Sequence, residues 1–495
     1  KLTFEQYSVI LVCMAFFFTF LRLHEVKVIE KRVFHIAGFI VVALGCGLFT
    51  NQIILSDFME EHQINIRMFR PMESYQKYGG VLTFARSVGY AVVKKPEGYT
   101  TAKVDQIIQE NEKKSANEQQ STAKQYPNII TVVNETFADI KVLGDFKTNE
   151  DYMPYFHSLK KNCVTGYTYA SIVGGQTANT EFELLTGNTL GFLSAGTTAF
   201  QLYIHGQMPS LVSNLKAEGY SGNKAMHPFN PYNYNRPAVY KDFGFADFID
   251  KFDFPKNVKR VREYISDEAN VDRIISEYEK NRKKTDQPFY MYNMTIQNHS
   301  PYDKDAANFK QPIKIESSKY DAEANRYLNL IKYSDDSLKQ LTSYFEKCKE
   351  PTIILFLGDH QPRLTDEFMN KITNGQYQTW SSEQMMKRYQ VPFVIWANYD
   401  IKEQHIEKTS MNYIQSILTK TAGVKMTGYQ RFLNEVRKEV PTITSQGYWG
   451  KNGKFYQIND KGSPYYGIIQ KYRMIQYNMM FDKKNRRDSF FEVSK

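Results

Sequence analysis

Hydrophobic residues form two long runs near the beginning of the chain, at residues 7–21 and 33–55. No acidic or basic residue interrupts either run, and His35 is the one histidine in them. A helix that crosses a bilayer needs about 20 predominantly apolar residues, which the second run exceeds and the first reaches over residues 2–23 with polar ends. This pattern predicts a transmembrane hairpin over residues 1–57, with a buried helical hairpin as the alternative.

Charges on either side of the second run give the hairpin an orientation. The connection between the runs is basic, whereas acidic residues follow the second run: Arg22, Lys27, Lys31 and Arg32 against Asp57, Glu60 and Glu61. Because basic loops stay on the cytoplasmic side, we predict a multi-pass protein of the cell membrane whose larger part is extracellular. The sequence begins at Lys1 without Met, so whether further membrane segments precede it stays open.

Residues 58–125 change from mixed to polar composition. The apolar, glycine-containing piece over residues 79–93 carries Arg86 and is too polar to span a bilayer, so it is predicted to lie on the membrane surface or on the main domain. Residues 101–125 are rich in Glu, Lys, Gln and Ser and lie between two prolines, which predicts an exposed helix or a linker. We interpret the whole segment as juxtamembrane and linker helices.

From residue 126 onwards, short apolar runs rich in β-branched or aromatic residues alternate with helical patterns. The runs predict strands at residues 128–134, 288–297, 352–358 and 391–397, and the helical patterns lie at residues 209–218, 319–347 and 411–418. Strands that alternate with helices predict an α/β fold with a doubly wound sheet over residues 126–440. Beyond it, Asn452-Gly453 between aromatic flanks indicates a hairpin, and we predict a small antiparallel, β-containing subdomain over residues 441–495.

Composition narrows the classes of function. The net charge of +10 favours an anionic lipid or polymer, or is simply a solvated basic surface. The sequence contains no basic repeat, zinc-finger spacing or RNP-like motif, so nucleic acid is not an expected partner. Four cysteines without a C-x-x-C motif exclude a zinc ribbon and a thioredoxin-like site, while a disulfide between Cys163 and Cys348 stays open.

Three of the predicted strands are followed by acidic or histidine side chains. Glu135 follows the first strand, His299 follows the second, and Asp359 with His360 follows the third. Because parallel strands end at the same edge of a sheet, these side chains are expected to converge on one metal site. The alternative for Asp359 and His360 is an aspartate that caps a turn beside an unrelated histidine.

Two further clusters suggest what such a metal would act on. Gly174-Gly175 precedes a polar run and a short helix predicted over residues 181–185, which Gly187 closes. The N-terminus of a helix favours the binding of phosphate, so a hydroxyl there would lie close to a phosphate group. A metal that bound the Thr177 hydroxyl would lower its pKa and make it a nucleophile. The alternative is that Thr177 or Asn179 only caps the helix. In the second cluster, over residues 226–236, the side chains of His227, Tyr234 and Arg236 could clamp an anionic group. The alternative is that this stretch is a surface loop.

Together these motifs resemble one known family. They are N-E-T at 134–136, G-G-Q-T-A-N-T-E at 174–181, H-x6-Y-x-R at 227–236, N-H-S-P at 298–301 and L-G-D-H at 357–360. In this order, from about residue 126 to 440, the chain resembles the lipoteichoic acid synthase family of membrane phosphoglycerol transferases, within the alkaline phosphatase and sulfatase superfamily. The resemblance implies an alkaline phosphatase-like fold and an extracellular catalytic domain of a Gram-positive cell surface.

The resemblance also implies roles for individual residues. Glu135, Thr177, Asp359 and His360 would bind one divalent metal, most typically Mn²⁺, with Mg²⁺ or Zn²⁺ as alternatives, and Thr177 would be the nucleophile. Phosphate would be held by Arg236 and His299, and the glycerol pocket would be lined by His227 and Tyr234. The chain departs from the family in having Tyr234 where tryptophan is expected, and in having fewer membrane segments than is usual.

The implied reaction is a transfer in two steps. Thr177 attacks the phosphodiester of phosphatidylglycerol, and a hydroxyl of a growing polyglycerolphosphate or glycan acceptor then displaces the threonine. His299 would move protons in both steps or act only through its charge. A phosphoethanolamine transferase with zinc, a phosphodiesterase and an inactive teichoic acid or lipid receptor are the alternatives. Sulfatase activity is disfavoured because the motif around Thr177 lacks the Cys or Ser of C/S-x-P-x-R.

Overall fold

The computed structural model describes residues 28–55, 58, 66, 71–91, 93–115, 125–316, 322–375 and 377–493. The chain divides into two compact units. The first contains the residues up to 94 together with 195–197, and the second contains residues 95–194 and those from 198 onwards.

The first unit contains a long apolar helix. Helix α1, Val28–Phe49, continues as a π-helical segment over Thr50–Leu55. Of the helices that the structure describes, it is the one long and apolar enough to cross a membrane, over Ile36–Ile53. The second of the two predicted spans is therefore a helix of sufficient length, while the first, over residues 2–23, lies outside the described residues.

Two shorter helices follow in the first unit, α2 over Pro71–Tyr78 and α3 over Gly80–Ala91. On α3 the side chains of Val81, Phe84 and Val88 are exposed, at the spacing of one helical face. The apolar piece predicted over residues 79–93 is thus an amphipathic helix.

The second unit is built around an eight-stranded sheet with the strand order β10-β2-β9-β8-β1-β7-β3-β4. Its strands are β1 Asn128–Asn134, β2 Cys163–Tyr169, β3 Ser221–Met226, β4 Asp247–Ile249, β7 Phe289–Met294, β8 Thr352–Gly358, β9 Gln390–Ala397 and β10 Gln404–Ser410; a separate pair is β5 Arg260–Val261 and β6 Tyr264–Ile265. Strand β9 runs antiparallel to β2 and β8, and the other neighbours are parallel. The α/β prediction is confirmed, with a mixed sheet.

Helices cover both faces of this sheet, which explains why β1, β7 and β8 are apolar and buried along their whole length. The helices are α4 Thr101–Ser115, α5 Pro154–Ser158, α6 Thr177–Thr186, α7 Ala199–Leu202, α8 Leu211–Ala217, α9 Arg236–Phe243, α10 Asp267–Arg282, α11 Ala322–Phe345, α12 Asp366–Ile372, α13 Ser382–Met385, α14 Met411–Thr421 and α15 Gly428–Glu439. Helices α10 and α11 pack against each other, and the apolar side of α11 enters the main core as predicted.

The end of the chain is helical to a greater extent than predicted. Strands β11 Thr442–Thr444, β12 Gly447–Trp449 and β13 Phe455–Tyr456 form a small antiparallel sheet, and β12 and β13 are the two sides of the predicted hairpin. Helices α16 Tyr466–Met480 and α17 Asp488–Phe491 follow where an antiparallel addition was predicted. Cys163 and Cys348 are free thiols, so the disulfide left open by the sequence does not form.

Candidate active site

Parallel pairing brings the ends of β1, β7 and β8 to one edge of the sheet. Strand β1 pairs with β8 up to Asn134 beside Gly358, and with β7 up to Val133 beside Met294. The residue after each strand of the first pair is a carboxylate, so Glu135 and Asp359 become neighbours. A Cβ atom at Gly358 would lie 1.8 Å from the Phe137 carbonyl oxygen, and this close approach requires glycine. The predicted convergence at one edge is thus present in the fold.

Glu135, Asp359 and His360 form a buried cluster of potential metal ligands. One ligand atom from each lies within 4.8 Å of the others. His360 Nε2 is 3.7 Å from Glu135 Oε1 and 3.3 Å from Asp359 Oδ2. These distances leave the three groups facing a common centre without direct hydrogen bonds between them.

Neighbouring groups orient two of these ligands. Asp359 Oδ1 accepts hydrogen bonds from the backbone N–H groups of Thr136 at 2.6 Å and His360 at 2.9 Å, while Asp359 Oδ2 has no hydrogen-bond partner. His360 Nδ1 is 3.0 Å from the Gln361 carbonyl oxygen and donates to it, which leaves the lone pair of Nε2 without a partner. Buried polar atoms are rarely unpaired, so both orphaned atoms are suited to a cation.

Glu135 completes the donor set. Burial, followed by the negative charge of Asp359, raises the pKa of the Glu135 carboxyl to about 8. Its Oε1 accepts a hydrogen bond from the Thr136 hydroxyl at 2.7 Å, and its backbone N–H donates to the Thr295 hydroxyl at 3.0 Å. Two carboxylates and one imidazole in a buried pocket fit a divalent cation, whose charge would offset the unfavourable desolvation of the carboxylates.

Thr177 lies beside this cluster, as the first residue of α6. Gln176, at φ 66°, occupies the position before the helix, and no side chain caps it. The alternative in which Thr177 or Asn179 serves as the cap is therefore wrong, and the helix begins four residues earlier than predicted. The Thr177 hydroxyl is 3.5 Å from Glu135 Oε2, and the residue is only 6% exposed. A hydroxyl at this position is close enough to the cluster to share a cation that bound there.

Arg236 is held in a buried ion pair that the sequence analysis missed. Its Nη2 and Nε donate to Glu181 Oε1 at 2.7 Å and 3.1 Å. Glu181 Oε2 accepts hydrogen bonds from the hydroxyls of Tyr240 and, at 3.2 Å, Tyr292. Nη1 makes a long hydrogen bond, 3.5 Å to the Asn233 carbonyl oxygen. Nη1 is therefore the part of Arg236 with donors available to a phosphate.

Tyr234 packs on Arg236. Its ring centroid is 5.1 Å from Arg236 Cζ, and its backbone is left-handed at φ 61°. Burial raises the pKa of the Tyr234 phenol, so the hydroxyl is neutral. The predicted loop over residues 226–236 therefore has an ordered interior in which Tyr234 and Arg236 lie together.

The rings of His227 and His299 both lie near the ring of Phe229. His227 Nδ1 is 2.9 Å from the Met294 carbonyl oxygen, and His299 Nδ1 is 2.7 Å from the Ser300 carbonyl oxygen. Burial and the positive charge of Arg236 hold the pKa of His227 well below its usual value, so the ring is neutral. The Phe229 ring centroid is 6.1 Å from that of His227 and 6.4 Å from that of His299. In both histidines Nδ1 is bonded to the backbone, which leaves Nε2 for a ligand.

The sequence contained a signal for the missed carboxylate. Glu181 is the last residue of the quoted G-G-Q-T-A-N-T-E motif and lies four residues after Thr177. Residues at that spacing share one face of a helix, so a helix that begins at Thr177 places Glu181 on the same face as Thr177. Tyr240 has the same relation to Arg236 on α9.

Comparison with known proteins gives one family match. A family model described as Sulfatase matches residues 127–424. A Rhizobium meliloti protein named for the modification of cyclic beta-1,2-glucan is 30% identical over 433 residues, which cover 86% of this chain and 65% of that protein. The lipoteichoic acid synthase of Staphylococcus saprophyticus is 23% identical over 374 residues, which cover 72% of this chain and 55% of that enzyme. The chain thus spans less than two thirds of the length of either relative.

A solved structure has the same fold. A phosphoglycerol transferase of Streptococcus pyogenes, in complex with sn-glycerol-1-phosphate, superposes with a TM-score of 0.65 at 20% identity, covering 81% of this chain and 100% of that one. This likeness confirms the predicted alkaline phosphatase-like α/β fold.

Proposed function

The chain belongs to the sulfatase family, as its resemblance to lipoteichoic acid synthases predicted, and we propose that it transfers glycerophosphate from phosphatidylglycerol to a hydroxyl of a cell-surface glycan or glycopolymer. The observation that carries the proposal is the Thr177 hydroxyl, 3.5 Å from Glu135 Oε2 beside the orphaned atoms of Asp359 and His360. In this proposal the catalytic unit acts on the outer face of the cell membrane.

In the first step, Thr177 Oγ1 attacks the phosphorus of the lipid phosphodiester. The Oγ1–P bond forms and the P–O bond to diacylglycerol breaks, so that diacylglycerol leaves with the threonine proton and glycerophosphate remains on Thr177. Arg236 Nη1 is the donor available to a phosphoryl oxygen. His299 Nε2 is free either to protonate the leaving oxygen or to act through hydrogen bonding alone.

In the second step, an acceptor hydroxyl attacks the same phosphorus. The P–Oγ1 bond breaks, and the proton of the acceptor returns to the Thr177 oxygen. Neutral His227 offers an acceptor lone pair at Nε2, which suits a glycerol hydroxyl, and the neutral Tyr234 phenol lies near the phosphate donor Arg236. These two residues form the glycerol pocket in this proposal.

Glu135, Asp359, His360 and the Thr177 hydroxyl would hold the divalent cation, which we propose is Mn²⁺. When bound there, the cation lowers the pKa of the threonine hydroxyl and offsets the charge that develops on the phosphoryl oxygens. The acceptor is proposed to be a glycan hydroxyl because the Rhizobium meliloti relative is named for glucan modification, and a polyglycerolphosphate chain is the second candidate.

The proposal is tested by incubating the full chain in lipid nanodiscs with headgroup-labelled phosphatidylglycerol, Mn²⁺ and a glucan acceptor. We expect the wild type to release diacylglycerol and Thr177→Ala to lose activity by at least about a hundredfold, because the nucleophile is gone. Thr186→Ala removes an equally buried hydroxyl from the same helix and should remain active.

Mass spectrometry of the intact protein separates the alternatives. A glycerophosphate adduct that is absent from Thr177→Ala supports the proposal, whereas a phosphoethanolamine adduct would assign the other transferase activity. Release of glycerophosphate to water without transfer to the acceptor would indicate a phosphodiesterase. Equal diacylglycerol release by wild type and Thr177→Ala would refute the nucleophile.

A further inference from the structure

A buried arginine lies against the loop that carries His299. Arg262 follows β5 in the hairpin of β5 and β6, and it is 9% exposed. Its Nη2 donates to the carbonyl oxygens of Gln297 at 2.9 Å and His299 at 2.7 Å, and its Nη1 donates to that of Pro301 at 2.7 Å. One guanidinium therefore bonds to three alternate carbonyl groups of residues 297–301.

The backbone at Arg262 indicates that its side chain has a particular task. Arg262 and Glu263 are the two residues between the paired strands, and Arg262 has φ 55°, in the left-handed region. Glycine and asparagine adopt this conformation more readily than arginine does. The Asn308 side-chain amide holds the turn by donating to the Arg262 carbonyl at 3.0 Å. An arginine is thus kept in an unfavourable backbone conformation with its guanidinium turned inward, which is typical of a functional position.

The hydrogen bonds of Arg262 extend to the imidazole of His299. His299 Nδ1 donates to the Ser300 carbonyl oxygen at 2.7 Å. Ser300 lies between the two residues whose carbonyl groups Arg262 binds at 2.7 Å, namely His299 and Pro301. Because Arg262 fixes the peptide groups on both sides, it also fixes the direction of the Ser300 carbonyl. The acceptor of the imidazole N–H is therefore held in place, and with it the orientation of the ring.

The same hairpin supplies a ring that packs beside His299. The Tyr264 ring centroid is 5.8 Å from that of His299, and the Phe229 ring centroid is 6.4 Å from it. Arg262 Cζ is 5.3 Å from the Tyr264 ring centroid. The guanidinium thus contacts both the loop that carries the imidazole and one of the rings that pack beside it.

We propose that Arg262 is a positioning residue, whose three hydrogen bonds keep His299 in the orientation that the transfer requires, and this inference rests on the proposed role of His299. The proposal depends on the geometry of the guanidinium and not on its charge, which the nearby carboxylates of Glu263 and Asp303 partly offset. A guanidinium is planar and holds its five N–H donors in a fixed arrangement, so it can bind several carbonyl groups at once. Placement of this kind affects catalysis strongly, because a shift of about 1 Å can cost roughly a hundredfold in rate.

Hydrogen–deuterium exchange of the full chain in nanodiscs tests the positioning without any turnover. In Arg262→Gln, residues 297–302 are expected to exchange about tenfold faster or more, because the loop loses three bonds to a charged donor. Peptides that contain β1 and β8 should exchange as in the wild type. Equal exchange of residues 297–302 in wild type and Arg262→Gln would overturn the proposal.

The matched control is Arg473→Gln on α16. This change also removes a half-buried guanidinium that packs on a ring, with Arg473 Cζ 5.1 Å from the Phe192 centroid, and that donates to Asn459 at 2.8 Å. It should leave the exchange of residues 297–302 and the rate of donor cleavage unchanged. The same acceleration of loop exchange in both variants would show a general effect of losing a buried arginine and would overturn the proposal.

A double-mutant cycle on donor cleavage tests whether Arg262 acts through His299. The kcat/KM for diacylglycerol release is expected to fall about a hundredfold in His299→Ala and about tenfold or more in Arg262→Gln. The double variant should be slower than His299→Ala by no more than about twofold, because no imidazole remains to be positioned. Losses that multiply would show that Arg262 acts independently of His299 and would overturn the proposal.

Arg262→Lys separates hydrogen bonding from charge and replaces Arg262→Gln in the cycle if that variant does not fold. It retains the positive charge and is expected to lose about as much activity as Arg262→Gln, because one ammonium cannot bind three carbonyl groups in the same way. Full activity of Arg262→Lys would overturn the proposal. Full activity of His299→Ala would refute the role of His299 and the inference with it. Loop exchange that depends on Arg262 in a protein that transfers no glycerophosphate would refute the proposed function and leave the positioning of His299 in place.

Discussion

Replacing Glu181 by glutamine removes one charge of a buried ion pair and leaves its size almost unchanged. The side chains of Glu181 and Arg236 are 0% and 2% exposed. In Glu181→Gln the guanidinium of Arg236 stays buried and loses its counter-charge, and the hydroxyls of Tyr240 and Tyr292 lose a charged acceptor. The loss is expected to be large because water cannot reach the unpaired cation.

The size of the effect follows from the burial. Removal of one partner of a buried pair costs ~3–5 kcal/mol, whereas an exposed pair contributes ~0–1 kcal/mol. The catalytic unit contains roughly 400 residues, and an unfolding entropy near 2 cal/mol/K per residue converts the first figure into a fall in the unfolding midpoint of about 4–6 °C. The matched control is Glu268→Gln, which breaks the pair with Lys259 whose side chains are 50% and 56% exposed.

Differential scanning fluorimetry of the purified full chain measures both variants. We expect a shift of about 4–6 °C for Glu181→Gln and of about 1 °C or less for Glu268→Gln. The double variant Glu181→Gln/Arg236→Gln removes both charges and should recover part of the loss. Equal midpoints for wild type and Glu181→Gln would refute the conclusion that Arg236 depends on Glu181 for its charge balance.

Two further changes test the metal site and a titrating pair. Chelation with EDTA is expected to abolish activity and to lower the unfolding midpoint by about 3 °C relative to protein with Mn²⁺ at 100 times its Kd, and Glu135→Ala should show no such shift. The carboxylates of Asp139, 3.8 Å from His157 Nε2, and Asp151, 2.7 Å from Nδ1, raise the pKa of His157 to about 9 although burial opposes them. Wild type should therefore lose stability as the pH rises from about 6.5 through 9, and the same loss in His157→Gln would contradict this.

The strands that carry the site were predictable because their apolar runs are local signals. Each run at β1, β7 and β8 ends within a few residues of its predicted boundary, and parallel pairing then places Glu135 and Asp359 together. The direction of β9 was not predictable in this way, since a buried apolar run has the same pattern in both directions. The helix at Tyr466–Met480 was missed because its tyrosine-rich composition favours strands, although Ile469, Tyr472, Ile475 and Met479 recur at the spacing of one buried helical face.

The environment of Arg236 depended on tertiary structure. The sequence showed an arginine beside a histidine and a tyrosine, which is the composition of an exposed anion clamp. Glu181 meets Arg236 only because the folded chain brings the start of α9 beside the Glu181 side chain. The four-residue spacing from Thr177 indicates that Glu181 faces the site. It does not indicate that the pair with Arg236 is buried or that two tyrosines bond to Glu181.

The pairing of Arg236 also changes how the site balances charge. Glu135, Asp359 and Glu181 supply three buried carboxylates and Arg236 supplies one buried guanidinium. With Arg236 neutralised by Glu181, little positive charge remains at the edge of the sheet for an incoming phosphodiester anion. Burial is the main cause of the raised pKa of Glu135, and the negative charge of Asp359 adds to it. In the proposed reaction, a divalent cation at Glu135, Asp359 and His360 would therefore offset most of the charge of the phosphate. Arg236 would act chiefly as a hydrogen-bond donor whose direction Glu181 fixes.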